Sequence, residues 1–160
     1  MRIEEQLGEL LIARKATLST AESCTGGQIS HLVTTVSGSS SYYLGSVISY
    51  AVSVKEKVLG VASGTIDAYG VVSSEVAAAM AEGARRVTGS TYAVSTTGLA
   101  EGGDGRYPEG TVWIGVSGPA GTRTAIYHCD LGRKANIRRF ATIALKTLVK
   151  YIKESQIIGD

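Results

Sequence analysis

The sequence predicts a layered α/β/α single domain with a mixed, mostly parallel sheet and one C-terminal β-hairpin. Short β-prone segments alternate with amphipathic helical segments, which is the pattern of an α/β fold. Two β-prone segments late in the chain are joined by Gly118-Pro-Ala-Gly121, a hairpin signal. The 160 residues, 44% of them hydrophobic, suffice for one core but not comfortably for two. We therefore expect one domain over residues 1–160.

The first part of the chain alternates helices with strands. Apolar residues at helical spacing predict an amphipathic helix over residues 2–15. Residues 17–21 form a short β-prone run, and a helix is expected over residues 28–36. The β-branched and aromatic residues of 43–50 indicate a buried strand, and a short helix follows over 54–59.

The second part contains the hairpin and the final helix. Residues 63–72 show no periodicity and are expected to be irregular. Ser73 is a plausible N-cap for an alanine-rich helix that runs to about residue 87. Beyond it we predict a strand over 91–96, a glycine-rich loop over 98–110, hairpin strands over 111–117 and 122–130, and a helix over 134–153.

Composition and charge argue against several classes of protein. The 16 basic and 14 acidic residues give a net charge of +2, without the clustered basic face typical of nucleic-acid binding. No apolar run approaches the roughly 20 residues needed to span a bilayer, and the acidic N-terminal segment is unlike a secretory signal. Cys24 and Cys129 have no metal-ligand spacing and indicate no disulfide framework. We expect a cytoplasmic protein without nucleic-acid or membrane partners, metal or cofactor.

Ser23 is the first candidate for chemistry, because it lies where a predicted strand turns into a helix. Ligands bind at this edge of open α/β sheets. The free N–H groups of Cys24, Thr25, Gly26 and Gly27 would point to the same place and could hold an oxyanion or a phosphate. The alternative is that Ser23 or Thr25 simply caps the helix.

Cys24 is a competing nucleophile, since a helix N-terminus lowers the pKa of a thiol. It would need a histidine. His31 lies seven positions further on, roughly 10 Å along a helix axis, and cannot touch it. Nothing in the sequence brings His128 near, so a cysteine–histidine site is disfavoured and both histidines are expected to be structural or surface residues.

A serine without histidine needs another base, and a lysine can serve when burial or neighbouring positive charge lowers its pKa. Lys55 follows an apolar strand by one turn, and Tyr50 at the strand's end could relay or orient the proton. Alternatively, Lys55 and Lys57 are two solvated lysines on a short helix. The glycine-rich segment from Thr97 and Gly98 to Gly105 could wrap a phosphate or ribose, or be a flexible connection.

The run Thr20-Ala-Glu-Ser-Cys-Thr-Gly-Gly27 resembles the opening motif of the CinA C-terminal domain family. Members of that family are nicotinamide-nucleotide amidases, which convert nicotinamide mononucleotide to nicotinate mononucleotide and ammonia. The similarity extends in order and at the family's spacing over nearly the whole chain. It continues through Tyr50-x4-Lys55, Leu59-Gly60-Val61, Tyr69-Gly-Val-Val-Ser73, Thr97-Gly98, Gly110-Thr-Val-Trp113 and the helix of Arg138.

By this resemblance the nucleophile falls on Ser23, and the proton-transfer pair on Lys55 and Tyr50. The resemblance also implies that substrate, a pyridine nucleotide, contacts Cys24, Thr25, Gly26, Gly27, Thr97, Gly98 and Arg138. The implied reaction is attack of the serine on the carboxamide carbon, with backbone N–H groups near Thr25 and Gly26 stabilising the oxyanion. No metal is required, and a homo-oligomer is expected.

The chain departs from the family pattern at three places. Where the family continues Ile-Ala-Gly-Pro-Gly-Gly, this chain has Leu99-Ala-Glu-Gly-Gly103, so that Glu101 replaces a small residue. Val52 replaces an asparagine, and Gly132-Arg133-Lys134 replaces Gly-Asp-Arg. A carboxylate near a phosphate would cost affinity, which the added cations could offset. The alternatives are therefore a non-catalytic nucleotide-binding domain and an amidase for another carboxamide.

Overall fold

A computed structural model describes the chain over residues 1–159, and its side chains over residues 1–155. The strands are β1 (Leu18–Glu22), β2 (Tyr43–Ile48), β3 (Tyr92–Gly98), β4 (Thr111–Gly118) and β5 (Gly121–His128). The helices are α1 (Ile3–Arg14), α2 (Gln28–Thr34), α3 (Val52–Lys57), α4 (Ser63–Tyr69), α5 (Ser74–Thr88) and α6 (Arg133–Gly159), with a 3-10 turn at Ser39–Ser41.

The five strands form one mixed sheet in the order β2-β1-β3-β4-β5. Strand β1 pairs in parallel with both β2 and β3, with Ala21 opposite Val47 on one side and Ser95 on the other. Strand β4 runs antiparallel to β3, and β5 antiparallel to β4. Four of the five strands therefore point the same way, and the parallel pairs are connected by helices, as parallel pairing requires. The predicted sheet and C-terminal hairpin are confirmed.

Helices cover both faces of the sheet. Helices α1, α2 and α6 enclose the larger apolar core, which includes Leu11, Ile29 and Phe140. Helix α5 packs on the other face, where Met80 and Leu59 belong to a smaller cluster. Every residue of β1 is buried because the strand lies inside both layers. No helix within residues 1–159 has both the length and the apolarity to cross a membrane.

Three expectations about single elements were wrong. Residues 63–72 are not wholly irregular, because Ser63–Tyr69 forms α4. This helix is short and none of its residues is fully buried, with Ile66 only partly buried, so the sequence shows no apolar periodicity there. Strand β2 is not a buried strand but an edge strand, with Leu44 and Ile48 50% and 42% exposed. Helix α6 also continues beyond residue 153, to Gly159.

Ser73 caps α5, as predicted: its Oγ accepts a hydrogen bond from the Val76 N–H at 3.2 Å and donates one to the Gly70 carbonyl at 2.8 Å. Ser73→Ala should lower the free energy of unfolding by about 1 kcal/mol, because the first turn of α5 loses an acceptor. Urea denaturation measures the change. The control is Ser74→Ala, whose hydroxyl contacts only the Glu75 carboxylate among the described residues. Equal losses in the two variants would contradict the capping role.

Candidate functional site

Ser23 is held where the carboxyl ends of the three parallel strands meet. It follows β1 directly, and its N–H donates to the Thr96 carbonyl of β3 at 3.2 Å. On the other side, the Ser49 N–H just after β2 donates to the Glu22 carbonyl at 2.8 Å. These backbone bonds extend the sheet past its last paired residues. The position of the Ser23 hydroxyl is thus set by three strands.

The Lys55 ammonium group lies against the Ser23 hydroxyl. Its Nζ is 2.8 Å from Ser23 Oγ, 2.6 Å from the Ser49 carbonyl and 3.3 Å from the Tyr50 carbonyl. The lysine side chain is fully buried, and Ser23 is 8% exposed. Burial lowers the pKa of Lys55 below its usual range. The interpretation of Lys55 as a solvated lysine is therefore wrong, and Lys55 has the environment of a base.

Glu22 organises the turn that carries Ser23, and the sequence analysis did not single it out. Its carboxylate is fully buried and accepts hydrogen bonds from the start of α2, including those of the Ile29 and Ser30 N–H groups, both at 2.9 Å. Further donors are the hydroxyls of Thr20, Thr25 and Ser30 and the N–H of Gly27. An acid just ahead of a helix was the available signal.

Because the Glu22 carboxylate satisfies the first turn of α2, no other side chain has to cap that helix. The N-cap position is Gly27, which makes no side-chain capping bond. The Thr25 hydroxyl donates to Glu22 at 2.7 Å instead of accepting from the helix. Ser23 contacts Lys55. The alternative in which Ser23 or Thr25 caps α2 is thus excluded.

The backbone amides of the turn divide into engaged and free groups. The Gly26 N–H donates to the Ser23 carbonyl at 3.1 Å, and the Gly27 N–H donates to Glu22 at 3.2 Å. The N–H groups of Cys24 and Thr25 have no acceptor among the described residues. The expectation that the N–H groups of Gly26 and Gly27 would be free to hold an oxyanion is therefore corrected, whereas those of Cys24 and Thr25 are free.

Cys24 lacks the properties of a nucleophile. Burial raises the pKa of its thiol to about 12, so that the group is protonated at neutral pH. The expected lowering of this pKa by the helix terminus is therefore wrong. His31 and His128 are both exposed, and His128 Nε2 lies 2.9 Å from the Glu109 carbonyl. The described residues contain no cluster of three or more metal-ligating side chains.

A cavity of about 460 Å³ opens above Ser23. Ser23 and Cys24 line it from the turn after β1, Val71 and Val72 from the segment between α4 and α5, and residues 98–101 with Asp104 from the loop after β3. Tyr50 and Arg133 line it as well, and both side chains are exposed to solvent. The cavity therefore joins the buried pair of Ser23 and Lys55 to the surface.

The Tyr50 side chain does not join the pair by contact. Its hydroxyl lies 3.4 Å from an Arg133 guanidinium nitrogen, and the side chain is 64% exposed. Only the Tyr50 carbonyl reaches Lys55. The predicted proton-transfer pair of Lys55 and Tyr50 is therefore not formed through the phenol, and the tyrosine ring serves as a wall of the cavity.

The other predicted binding residues lie in different places. Gly98 lines the cavity beside Cys24, and a Cβ at Gly98 would lie 2.5 Å from the Thr111 carbonyl, so that only glycine fits there. The Thr97 hydroxyl instead donates to the Val71 carbonyl at 2.9 Å. Arg138 is exposed on α6 and is not among the residues that line the cavity.

The glycine-rich loop after β3 is held in place rather than being a free connection. Asn136 is buried on α6, and its Nδ2 donates to the Ala100 carbonyl at 3.0 Å. Arg106 donates to the Tyr69 carbonyl at 2.6 Å, which ties the loop to α4. Asn136 was not identified from the sequence, because nothing local links it to a loop some 36 residues earlier. These contacts fix the wall that contains Glu101.

The fold and the site define an α/β domain with a buried serine–lysine pair at the carboxyl edge of its parallel strands. The family model of the CinA C-terminal domain matches residues 1–152. This chain belongs to the CinA C-terminal domain family, and the resemblance noted in the sequence is thereby confirmed.

Relatives and solved structures agree with this assignment. CinA-like proteins of Desulfosudis oleivorans and Salinibacter ruber are 46% and 47% identical over 92% and 90% of this chain. The chain spans only 37% and 35% of their lengths. The crystal structure of a competence-damaged protein (CinA) superfamily protein from Escherichia coli superposes with a TM-score of 0.90 at 28% identity. The superposition covers 93% of this chain and 88% of the Escherichia coli chain.

Glu22→Gln should destabilise the protein by about 3 kcal/mol, because an amide NH2 would then face N–H and O–H donors in a buried site. Chemical denaturation measures the loss. Glu75→Gln is the matched control, since the Glu75 carboxylate accepts only from the Ser74 hydroxyl among the described residues. A Glu22→Gln variant as stable as the Glu75→Gln variant would show that the carboxylate does not organise the turn.

Proposed function

We propose that this domain hydrolyses the carboxamide of nicotinamide mononucleotide to nicotinate mononucleotide and ammonia, with Ser23 as the nucleophile. The observation that carries the proposal is the 2.8 Å contact between the buried Lys55 Nζ and Ser23 Oγ at the base of an open cavity. A serine beside a desolvated lysine is an arrangement suited to acyl transfer. The substrate comes from the resemblance to the amidases of the family.

The contacts of Lys55 explain how it acts as a base. In the neutral amine, two N–H bonds can donate to the Ser49 and Tyr50 carbonyls, which lie 2.6 Å and 3.3 Å from Nζ. The lone pair of the nitrogen then points to the remaining neighbour, the Ser23 hydroxyl. Burial favours this neutral form, because it lowers the pKa of the lysine. The two carbonyls thus orient the base.

The reaction proceeds through an acyl-enzyme. Ser23 Oγ attacks the carboxamide carbon while its proton passes to Lys55 Nζ, and the free N–H groups of Cys24 and Thr25 stabilise the oxyanion. The C–N bond then breaks as the Lys55 ammonium returns the proton to the leaving nitrogen, which departs as ammonia. Water, deprotonated by Lys55, attacks the ester carbon. As the C–O bond to Ser23 breaks, the Lys55 ammonium returns its proton to Ser23 Oγ, and release of the acid regenerates both groups.

Glu101 favours a second candidate, an amidase for a carboxamide that carries no phosphate. Its carboxylate lines the same cavity and would repel a phosphate placed beside it. A binding domain without turnover is the third candidate, because Glu101 alters the loop that lines the cavity while the cavity itself is retained. A panel of carboxamides with and without phosphate distinguishes the first two. Binding without ammonia release would indicate the third.

Ser23→Ala should lower ammonia release from nicotinamide mononucleotide about 10⁴-fold or more, because no other group in the cavity replaces the nucleophile. Cys24→Ala should retain activity within about tenfold, since its thiol is protonated at neutral pH. A coupled ammonia assay on purified protein measures both. Loss of activity in the cysteine variant alone would assign the nucleophile to Cys24.

The value of kcat/KM should rise with pH by about one log unit per pH unit, because only neutral Lys55 accepts the serine proton. The profile should level off at an apparent pKa below the ordinary lysine value of 10.5. Lys55→Met should abolish activity. Lys57→Met, which changes an exposed lysine on the same helix, should leave the profile unchanged. A profile that levels off only at an apparent pKa of 10.5 or above would contradict a desolvated Lys55 as the base.

A further inference from the structure

Three charged side chains line the cavity, namely Glu101, Asp104 and Arg133. They differ in how many hydrogen bonds and ion pairs they make with the rest of the protein. Asp104 is committed to its own loop: its Oδ1 accepts from the Arg106 and Tyr107 N–H groups at 2.9 and 2.7 Å, which lowers the pKa of the carboxyl. Glu101 makes no hydrogen bond or ion pair among the described residues and is exposed. Its carboxylate is therefore available to a ligand.

Arg133 is the one cation among the residues that line this cavity. It is the first residue of α6, and its only described polar contact is the 3.4 Å one from Nη2 to the Tyr50 hydroxyl. No carboxylate lies within ion-pair distance of it among the described residues. A guanidinium group has five N–H donors arranged for anion recognition, so most of its donors remain unused.

The position of Arg133 suits the far end of a substrate whose carboxamide is at Ser23. All three of Ser23, Tyr50 and Arg133 line the cavity. Ser23 is buried against Lys55, whereas Arg133 and Tyr50 are exposed to solvent. The cavity volume of about 460 Å³ falls within the ~300–1,000 Å³ usual for small-molecule sites. A mononucleotide has its carboxamide at one end and its phosphate at the other. Its charged end would therefore meet Arg133.

We propose that Arg133 binds the substrate phosphate and makes this site prefer a phosphorylated pyridine nucleoside to the unphosphorylated one. The inference rests on the proposed function for the identity of the substrate. The Glu101 carboxylate would repel a substrate phosphate, and the Arg133 guanidinium, which lines the same cavity, would offset this repulsion by attracting it. Arginine suits this role better than lysine, since its planar fork matches two phosphate oxygens.

The experiment compares nicotinamide mononucleotide with nicotinamide riboside in the wild type and in Arg133→Gln. The variant should lower kcat/KM for the mononucleotide about tenfold or more, mainly through KM, and leave that for the riboside within about twofold. Arg139→Gln is the matched control: it removes the same side chain from the same helix, at an exposed position outside the cavity. It should change neither substrate's kinetics.

Three outcomes would overturn the inference. They are an equal loss for both substrates in Arg133→Gln, no loss for either, or the same loss in Arg139→Gln, which would indicate a general field effect. Adding Glu101→Gln to Arg133→Gln should restore part of the mononucleotide affinity, because the repelling carboxylate is then gone. No restoration would show that Glu101 does not face the phosphate and would remove that part of the inference.

Calorimetric binding of the two ligands keeps the inference separate from the proposed function. If the wild type releases no ammonia from either ligand, the proposed function fails. A wild-type preference for the mononucleotide that disappears in Arg133→Gln would still support phosphate binding at Arg133. Equal affinity for both ligands in the wild type, or no binding of either, would overturn it.

Discussion

The buried carboxylate of Glu22 is the constraint on which the site depends. It lies between the end of β1 and the start of α2, and N–H and O–H donors from both sides converge on it. An isolated buried charge is costly, but one that accepts this many hydrogen bonds is stabilised. The turn between strand and helix is then fixed by a single side chain. As a result, neither the Ser23 hydroxyl nor the N–H groups of Cys24 and Thr25 are needed to cap α2.

Lys55 is the opposite case, a buried amine with no carboxylate partner among the described residues. Its neighbours are two backbone carbonyls and the Ser23 hydroxyl, which satisfy hydrogen bonds without balancing a charge. Such an environment penalises the ammonium form and is characteristic of functional rather than structural lysines. Glu22 is thus surrounded by hydrogen-bond donors that organise the turn, whereas Lys55 is a buried amine that contacts only neutral oxygens.

Two of the departures from the family pattern, Glu101 and Arg133, line the cavity, whereas Val52 and Lys134 are not among its lining residues. Ser23 and Lys55, which contact each other, keep the residue types of the family motifs. The positions of Ser23 and Lys55 are constrained, because proton transfer between the two groups would be sensitive to a displacement of about 1 Å. The wall only has to complement the far end of the ligand. Changes of charge there alter which ligand binds without disturbing the serine–lysine contact.

The sequence by itself determined the alternation of elements, the hairpin turn and the cap at Ser73, which follow from local periodicity and turn chemistry. Ser23 and Lys55 were singled out as a pair only through the resemblance of their motifs to the family, because local spacing left a capping serine and a solvated lysine as alternatives. Only the tertiary structure decided that Lys55 meets Ser23 across 32 residues and that Arg133 reaches Tyr50 across 83 residues. The edge position of β2, with Leu44 and Ile48 exposed, likewise depends on strand order. Long-range pairing sets these features, and local sequence carries no signal for it.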